Sequence, residues 1–157
     1  MRKYVVASMV SVLLFLGGGF TASAEGLHRE EALNLVKGAF ESQGSISEEV
    51  RTKEAIDTKL KKYFTDDFIS KFMQANVVKV DGGYTAFGSD FAPYYIPFFS
   101  YDENTEVVYG DNGKLIYVQE EFKNTEDGPV LSGKHVESVM LKKENDVWKV
   151  KDVKYGR

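Results

Sequence analysis

The sequence predicts an α+β domain: N-terminal helices packed on a curved antiparallel β-sheet. Three observations carry this. Apolar residues recur at helical spacing between Ala32 and Met73. From Val77 onward the period changes to two. Turn signals, above all Asn112-Gly113, then cut the remainder into segments of hairpin length. Helices first and strands afterwards place the helices on one face of the sheet.

Ala32, Leu35, Val36, Ala39 and Phe40 fall at i, i+3, i+4, i+7 and i+8, one stripe of a helix from about Leu27 to Ser42 that Gly44 ends. Ser45, with Glu48 three residues on, reads as a capping box. A second helix is therefore expected from there to about Phe64, with Ile56, Leu60, Tyr63 and Phe64 on one face. Thr65 can cap a third helix whose Phe68, Ile69, Phe72 and Met73 face inward, with Asp66 and Asp67 at the positive end of its dipole, ending near Asn76.

Val78 and Val80 alternate with Lys79 before Asp81-Gly82-Gly83, a turn whose glycines tolerate positive φ. Glu106 to Tyr109 and Lys114 to Phe122 flank Gly110-Asp111-Asn112-Gly113, the strongest hairpin signal in the chain. The polar connection Asn124 to Pro129 leads to a strand from Val130 to Lys143. Glu144-Asn145-Asp146 then turns the chain into Val147 to Tyr155, so the C-terminal half reads as an antiparallel meander.

Ahead of this domain, Arg2 and Lys3 precede an apolar run, Tyr4 to Leu16, and Ala22-Ser23-Ala24 supplies the small-x-small pattern of a signal-peptidase site. The reading is a signal peptide over 1–24, a single domain over 25–157, and a product secreted or associated with the cell envelope. The competing reading keeps the segment as a membrane anchor, since about 20 apolar residues are needed to span a bilayer. The 157-residue chain has 43% hydrophobic residues, enough for one core, and no cysteine, which excludes disulfides, thiolate metal sites and a cysteine nucleophile. Cleavage removes Arg2 and Lys3 and moves the formal charge from −4 to −6. Such a surface disfavours nucleic acid, which is bound through Lys/Arg clusters.

The helix order, the short helix opening with Phe64-Thr65-Asp66-Asp67-Phe68, and the closing strand Val147-Trp148-Lys149-Val150-Lys151-Asp152-Val153 resemble the nuclear transport factor 2-like cone fold. That superfamily is also called ketosteroid isomerase-like or SnoaL-like. The chain is further similar to small exported proteins of Gram-positive bacteria classed as domains of unknown function. The resemblance implies a cone whose mouth holds a ligand, enzyme members that are isomerases or dehydratases, and dimerisation through the sheet.

Two constellations are candidates for a site. Tyr84, Phe87, Phe91, Tyr94, Tyr95, Phe98, Phe99 and Tyr101 crowd a stretch broken by Gly88, Pro93 and Pro97, where no regular strand or helix can run. These rings either close the core or, with Tyr84, Phe87, Tyr94, Tyr95, Phe98 and Tyr101 as ligand-binding residues, wall a cavity for an apolar, glycan or peptide ligand. On the long strands, His135 and Glu137 share a face with Val139 and Leu141, while Tyr117, Gln119 and Glu121 share a face of the neighbouring strand. These polar residues either form a solvated strand end, as their surroundings favour, or a cluster in which His135 or Glu137 is a general base and Tyr117 a donor.

Metal, nucleotide and hydrolase chemistry lack their motifs. His28 stands beside the mature N-terminus, where order is not expected, no His-x-His or His-Glu-x-x-His pair exists, and Asp102-Glu103-Asn104-Thr105-Glu106 lacks the glycine and distal glutamate of an EF-hand. No phosphate-binding glycine loop and no Gly-x-Ser-x-Gly elbow occurs. No cofactor is expected. The leading reading is a non-catalytic exported binding domain, for a small ligand or for another exported protein that its acidic surface orients. The alternative is a cofactor-independent isomerase or lyase. A third reading has Trp148 and the sheet face packing on a second copy.

Overall fold

α1 (Arg29–Gly44) buries Ala32, Val36 and Ala39 of the expected stripe and also Leu33, while Leu35 and Phe40 of that stripe are half-buried. His28 is its N-cap, and the His28 backbone N–H donates to Glu31 Oε2 at 2.8 Å, so this histidine closes a helix where the sequence suggested an unordered terminus. This computed structural model describes residues 26–88, 92–123 and 134–156. The expected signal peptide, Phe91, the connection Asn124–Pro129 and the first residues of the strand placed at Val130 lie outside the described residues.

The second helix is shorter than its sequence signals suggest: α2 runs Lys53–Lys61, capped by Thr52, whose hydroxyl accepts from the Ala55 N–H at 3.1 Å. Ser45 is taken by the end of α1, its N–H donating to the Glu41 carbonyl and its hydroxyl to the Ser42 carbonyl. Ile46 is fully buried. Arg51 then exchanges two backbone hydrogen bonds with Tyr84, at 2.9 and 2.8 Å, which holds the residues before Thr52 out of the helix. α3 (Asp66–Asn76) starts as expected, with the Thr65 hydroxyl accepting from the Phe68 N–H at 3.3 Å.

β1 (Val77–Val80) and β2 (Gly83–Ala86) form a two-stranded antiparallel ribbon. β3 (Thr105–Gly110), β4 (Leu115–Lys123), β5 (Lys134–Glu144) and β6 (Val147–Lys154) form an antiparallel sheet in sequence order, the predicted meander. Asp111, Asn112 and Gly113 all take positive φ between β3 and β4, the conformation that Asn and Gly tolerate best. The register shifts between Met140 and Leu141, where Lys151 of β6 is left without a partner, a bulge that bends β6.

One core joins helices and sheet: Val36, Ile56, Leu60, Phe68 and Phe72 meet Ile116, Val118, Val139, Leu141 and Val150. Phe64 stacks on Phe68 with ring centroids 4.9 Å apart. Burying each phenylalanine contributes roughly 1.5–3 kcal/mol. The chain between α2 and α3 is tied directly to the last strand, the Thr65 N–H donating to the Val150 carbonyl and the Val150 N–H to the Tyr63 carbonyl. Trp148 is 9% exposed and belongs to this core. It therefore cannot contribute to an apolar patch on the outer face of the sheet, the role suggested for it in packing on a second copy.

Candidate functional site

Val139 and Leu141 are fully buried, so strand alternation points His135 and Glu137 toward the helices. The register sets Phe122 opposite His135 and Glu120 opposite Glu137. Ile116 and Val118 are buried on that same face of β4, which sends Tyr117, Gln119 and Glu121 to the other side of the sheet, where their partners are Met140, Ser138 and Val136. The alternative to a solvated strand end, a cluster of Tyr117, Gln119, Glu121, His135 and Glu137, is thus split across the sheet: the period of two holds, but the two sets lie on opposite faces.

Proline denies the 93–97 segment ladder hydrogen bonds, and two helix side chains replace them. Gln43 of α1, almost fully buried, donates to the Tyr94 carbonyl at 2.7 Å and accepts from the Ile96 N–H at 2.9 Å. Asn76 of α3 donates to the Pro93 carbonyl at 2.8 Å. Tyr94 takes φ 67°, a strained conformation for a non-glycine residue, and this clamp holds it. Its ring packs edge-on against Phe68, and the Tyr95 ring against Phe72.

Beside this segment lies a cavity of about 440 Å³. Phe40, Tyr95, Phe98 and Phe122 form its aromatic wall, with Glu137 and Tyr155 at its polar side. Phe98 is 80% exposed and meets Phe40 edge-to-face at 5.1 Å. Of the aromatic residues singled out by the sequence, Tyr95 and Phe98 reach the cavity. Tyr84 instead lies on β2 beneath the Lys53 ammonium, 4.9 Å from its ring centre, and Phe87 is exposed beyond that strand. Tyr94 faces Phe68, and Tyr101 faces Phe99. The segment is divided between core and cavity.

Burial in this wall raises the Glu137 carboxyl above the ordinary carboxylate range, while His135 opposes the shift. His135 Nε2 stands 3.4 Å from Glu137 Oε1, and its ring stacks on Phe122. His135 Nδ1 is buried without a hydrogen-bond partner among the described residues. Gly156 lies directly against this histidine: a Cβ there would come within 2.5 Å of His135 Cβ, so only glycine fits without displacement. The Tyr155 hydroxyl donates to the Tyr95 carbonyl, tying the residues after β6 to the aromatic segment. Burial, and then the Glu137 charge, raise the Tyr155 phenol above its usual value.

Behind the cavity, Glu120 is 8% exposed and accepts from the Ser100 N–H at 2.8 Å, the Ser100 hydroxyl at 3.1 Å and the Thr105 hydroxyl at 2.7 Å. The Tyr101 hydroxyl is buried with no partner among the described residues, and its pKa is pushed up to about 12 by burial first and by Glu41 and Glu120 second. Glu120, Phe122, Phe40 and Tyr155 were not singled out by the sequence. The alternation of Ile116 with Val118, continued two residues at a time, was the available signal for Glu120 and Phe122. Among the described residues, no group of three or more His, Cys, Asp or Glu is placed to hold a metal ion, and no helix is long and apolar enough to cross a membrane.

Residues 28–122 match the family described as Protein of unknown function (DUF3993). No curated protein matches the sequence.

Proposed function

We propose, for a chain that belongs to the DUF3993 family and receives no activity from that description, that it is a non-catalytic binding domain holding a small apolar or peptide ligand in the aromatic cavity. The observation that carries this is the combination of about 440 Å³ of space with a lining of five aromatic rings and a single carboxylate. Ligand sites are built this way, with apolar walls for affinity and a few polar groups for orientation. The clamp by Gln43 and Asn76 supports the reading, because it holds the wall in shape before a ligand arrives. Export and a place at the cell envelope belong to the same proposal and rest on the pattern of residues 1–24. So does the likeness to the nuclear transport factor 2-like cone, which the helix-then-meander order supports.

The test uses Gly88, which lines the cavity and whose added Cβ would meet only the Tyr95 ring at ordinary contact distance. The neutral dye N-phenyl-1-naphthylamine should brighten on binding the wild type, and Gly88→Phe, which fills the space, should abolish this with no loss of stability. Equal dye binding by both proteins sinks the proposal.

One observation favours the second reading, a cofactor-independent isomerase or lyase: Glu137 has a raised pKa and touches a histidine, as a general base in an apolar site would. That reading must do without Tyr117, which lies on the opposite face, and with a Tyr155 hydroxyl already hydrogen-bonded to a carbonyl.

A further inference from the structure

The charge of the cavity is one-sided. Glu137 lines it, and Glu120 stands directly across the ladder from Glu137 on the same face of the sheet. Like charges at directly opposed positions repel. Among the described residues no Lys or Arg lines the cavity, and His135 is the one basic group beside Glu137. Residues 89–91 and 124–133 contain no Lys or Arg either. An anionic ligand would therefore meet a carboxylate with only His135 beside it and, among the described residues, no Lys or Arg lining the space to offset the repulsion, while a cationic one would find its counter-charge in Glu137.

The wall adds a second argument. Phe40, Tyr95, Phe98, Phe122 and Tyr155 bring ring faces and edges around the same space as Glu137. Aromatic faces attract a cation through the ring quadrupole, most strongly where water is excluded, and rings beside a carboxylate are the usual means of holding an alkylated ammonium. The Tyr155 hydroxyl hydrogen is engaged in its bond to the Tyr95 carbonyl, so that oxygen has lone pairs, not a donor, left to offer.

We infer that the cavity selects an apolar ligand with a positively charged ammonium head, the head lying at Glu137 among the rings and the apolar part along Phe40 and Phe98. This rests on the binding reading above and narrows it to one class of ligand. A hydrocarbon body alone would fit the walls, but it would gain nothing from the Glu137 carboxylate that stands among the rings.

Three probes with the same chain separate the possibilities: octyltrimethylammonium, octanol and octanoate, each below its micelle concentration, titrated calorimetrically into the full chain near neutral pH. The expected order is cation, then alcohol, then carboxylate. E137Q should weaken the cation by about tenfold or more, the loss of one charged contact, and leave octanol unchanged. F98A, at a site 80% exposed and so harmless to folding, should weaken the cation by about three- to tenfold. E54Q, which removes the same charge from the exposed start of α2, should change nothing. If octanoate binds as well as the cation, or E137Q leaves the cation's affinity intact, the inference is wrong while the cavity reading stands. If none of the three probes binds, both fall.

Discussion

Replacing Glu120 tests how the wall of the cavity is held. Glu120→Ala removes the acceptor of three hydrogen bonds, and the consequences differ for each donor. The Thr105 hydroxyl, on a fully buried residue and 2.7 Å from the carboxylate, would be left with only the Ser100 hydroxyl, 3.4 Å away, as an acceptor; a poorly met buried donor costs about 1–3 kcal/mol. The Ser100 N–H, at 2.8 Å, adds about 1 kcal/mol. The Ser100 hydroxyl costs little, because it already lies 2.7 Å from Asp102 Oδ1. The sum is a loss of about 2–4 kcal/mol, which at a slope near 2 kcal/mol per molar moves a urea midpoint down by about 1–2 M. Glu120→Gln keeps one acceptor oxygen and should cost about half as much. The decisive measurement is a double-mutant cycle with Thr105→Val, because removing donor and acceptor together should recover about 1–2 kcal/mol. A midpoint for Glu120→Ala within about 0.5 kcal/mol of wild type, or a cycle with no coupling, would refute the account.

Tyr101→Phe deletes a buried hydroxyl that has no partner among the described residues, so it should be neutral or stabilising by up to about 1 kcal/mol. The folded phenol holds its proton to about pH 12 while the unfolded chain ionises near 10.0, so wild-type stability is full below pH 10 and falls as pH rises through 12; alkaline denaturation followed by circular dichroism should show Tyr101→Phe flattening this fall. Glu137 also has a raised pKa, so its contribution is complete below its unfolded value of 4.5 and is lost as pH rises through the folded one. Wild type should therefore lose urea stability relative to E137Q as pH rises above 4.5, and a difference that grows in the other direction contradicts the burial assigned to this carboxyl. Gly83→Ala would set a Cβ 2.6 Å from the Arg51 carbonyl oxygen, a backbone atom that is itself bonded to Tyr84; a loss of about 1–3 kcal/mol in thermal unfolding is expected, and none if the Arg51–Tyr84 bridge is unimportant.

Most of the fold was legible in local pattern. The stripes of α1 and α3, the Thr65 cap, the Asn112-Gly113 turn and the meander all follow from rules that act within a few residues. The start of α2 was not, because Ser45-x-x-Glu48 is a sound helix signal that a distant partner overrides: Tyr84 captures the backbone of Arg51, and Ile46 is drawn into the core. The site shows the same division. Alternation placed His135 and Glu137 on the core side of β5, but assigning Glu120 rather than Tyr117 to the neighbouring core face needed the register across two strands. The aromatic segment was conspicuous in composition, yet which rings turn inward is decided by Gln43 and Asn76, some 50 and 17 residues away from the carbonyls they bind. Phe40 and Tyr155 join the cavity from opposite ends of the domain, and no local signal marks either.

The tie between the α2–α3 junction and Val150 bears on the order in which the molecule can be made. The three helices are the earliest part of the domain to be synthesised, and their apolar faces have no sheet to cover until later. The hairpins of the meander can close locally and fast, since their partners are near in sequence. The bonds from Tyr63 and Thr65, however, wait for a residue more than eighty positions downstream. Docking of the helices is thus gated by the arrival of the final strand, and until then the nascent chain presents uncovered phenylalanines. A holdase that shields aromatic helix faces would find its binding sites in the first half of the domain.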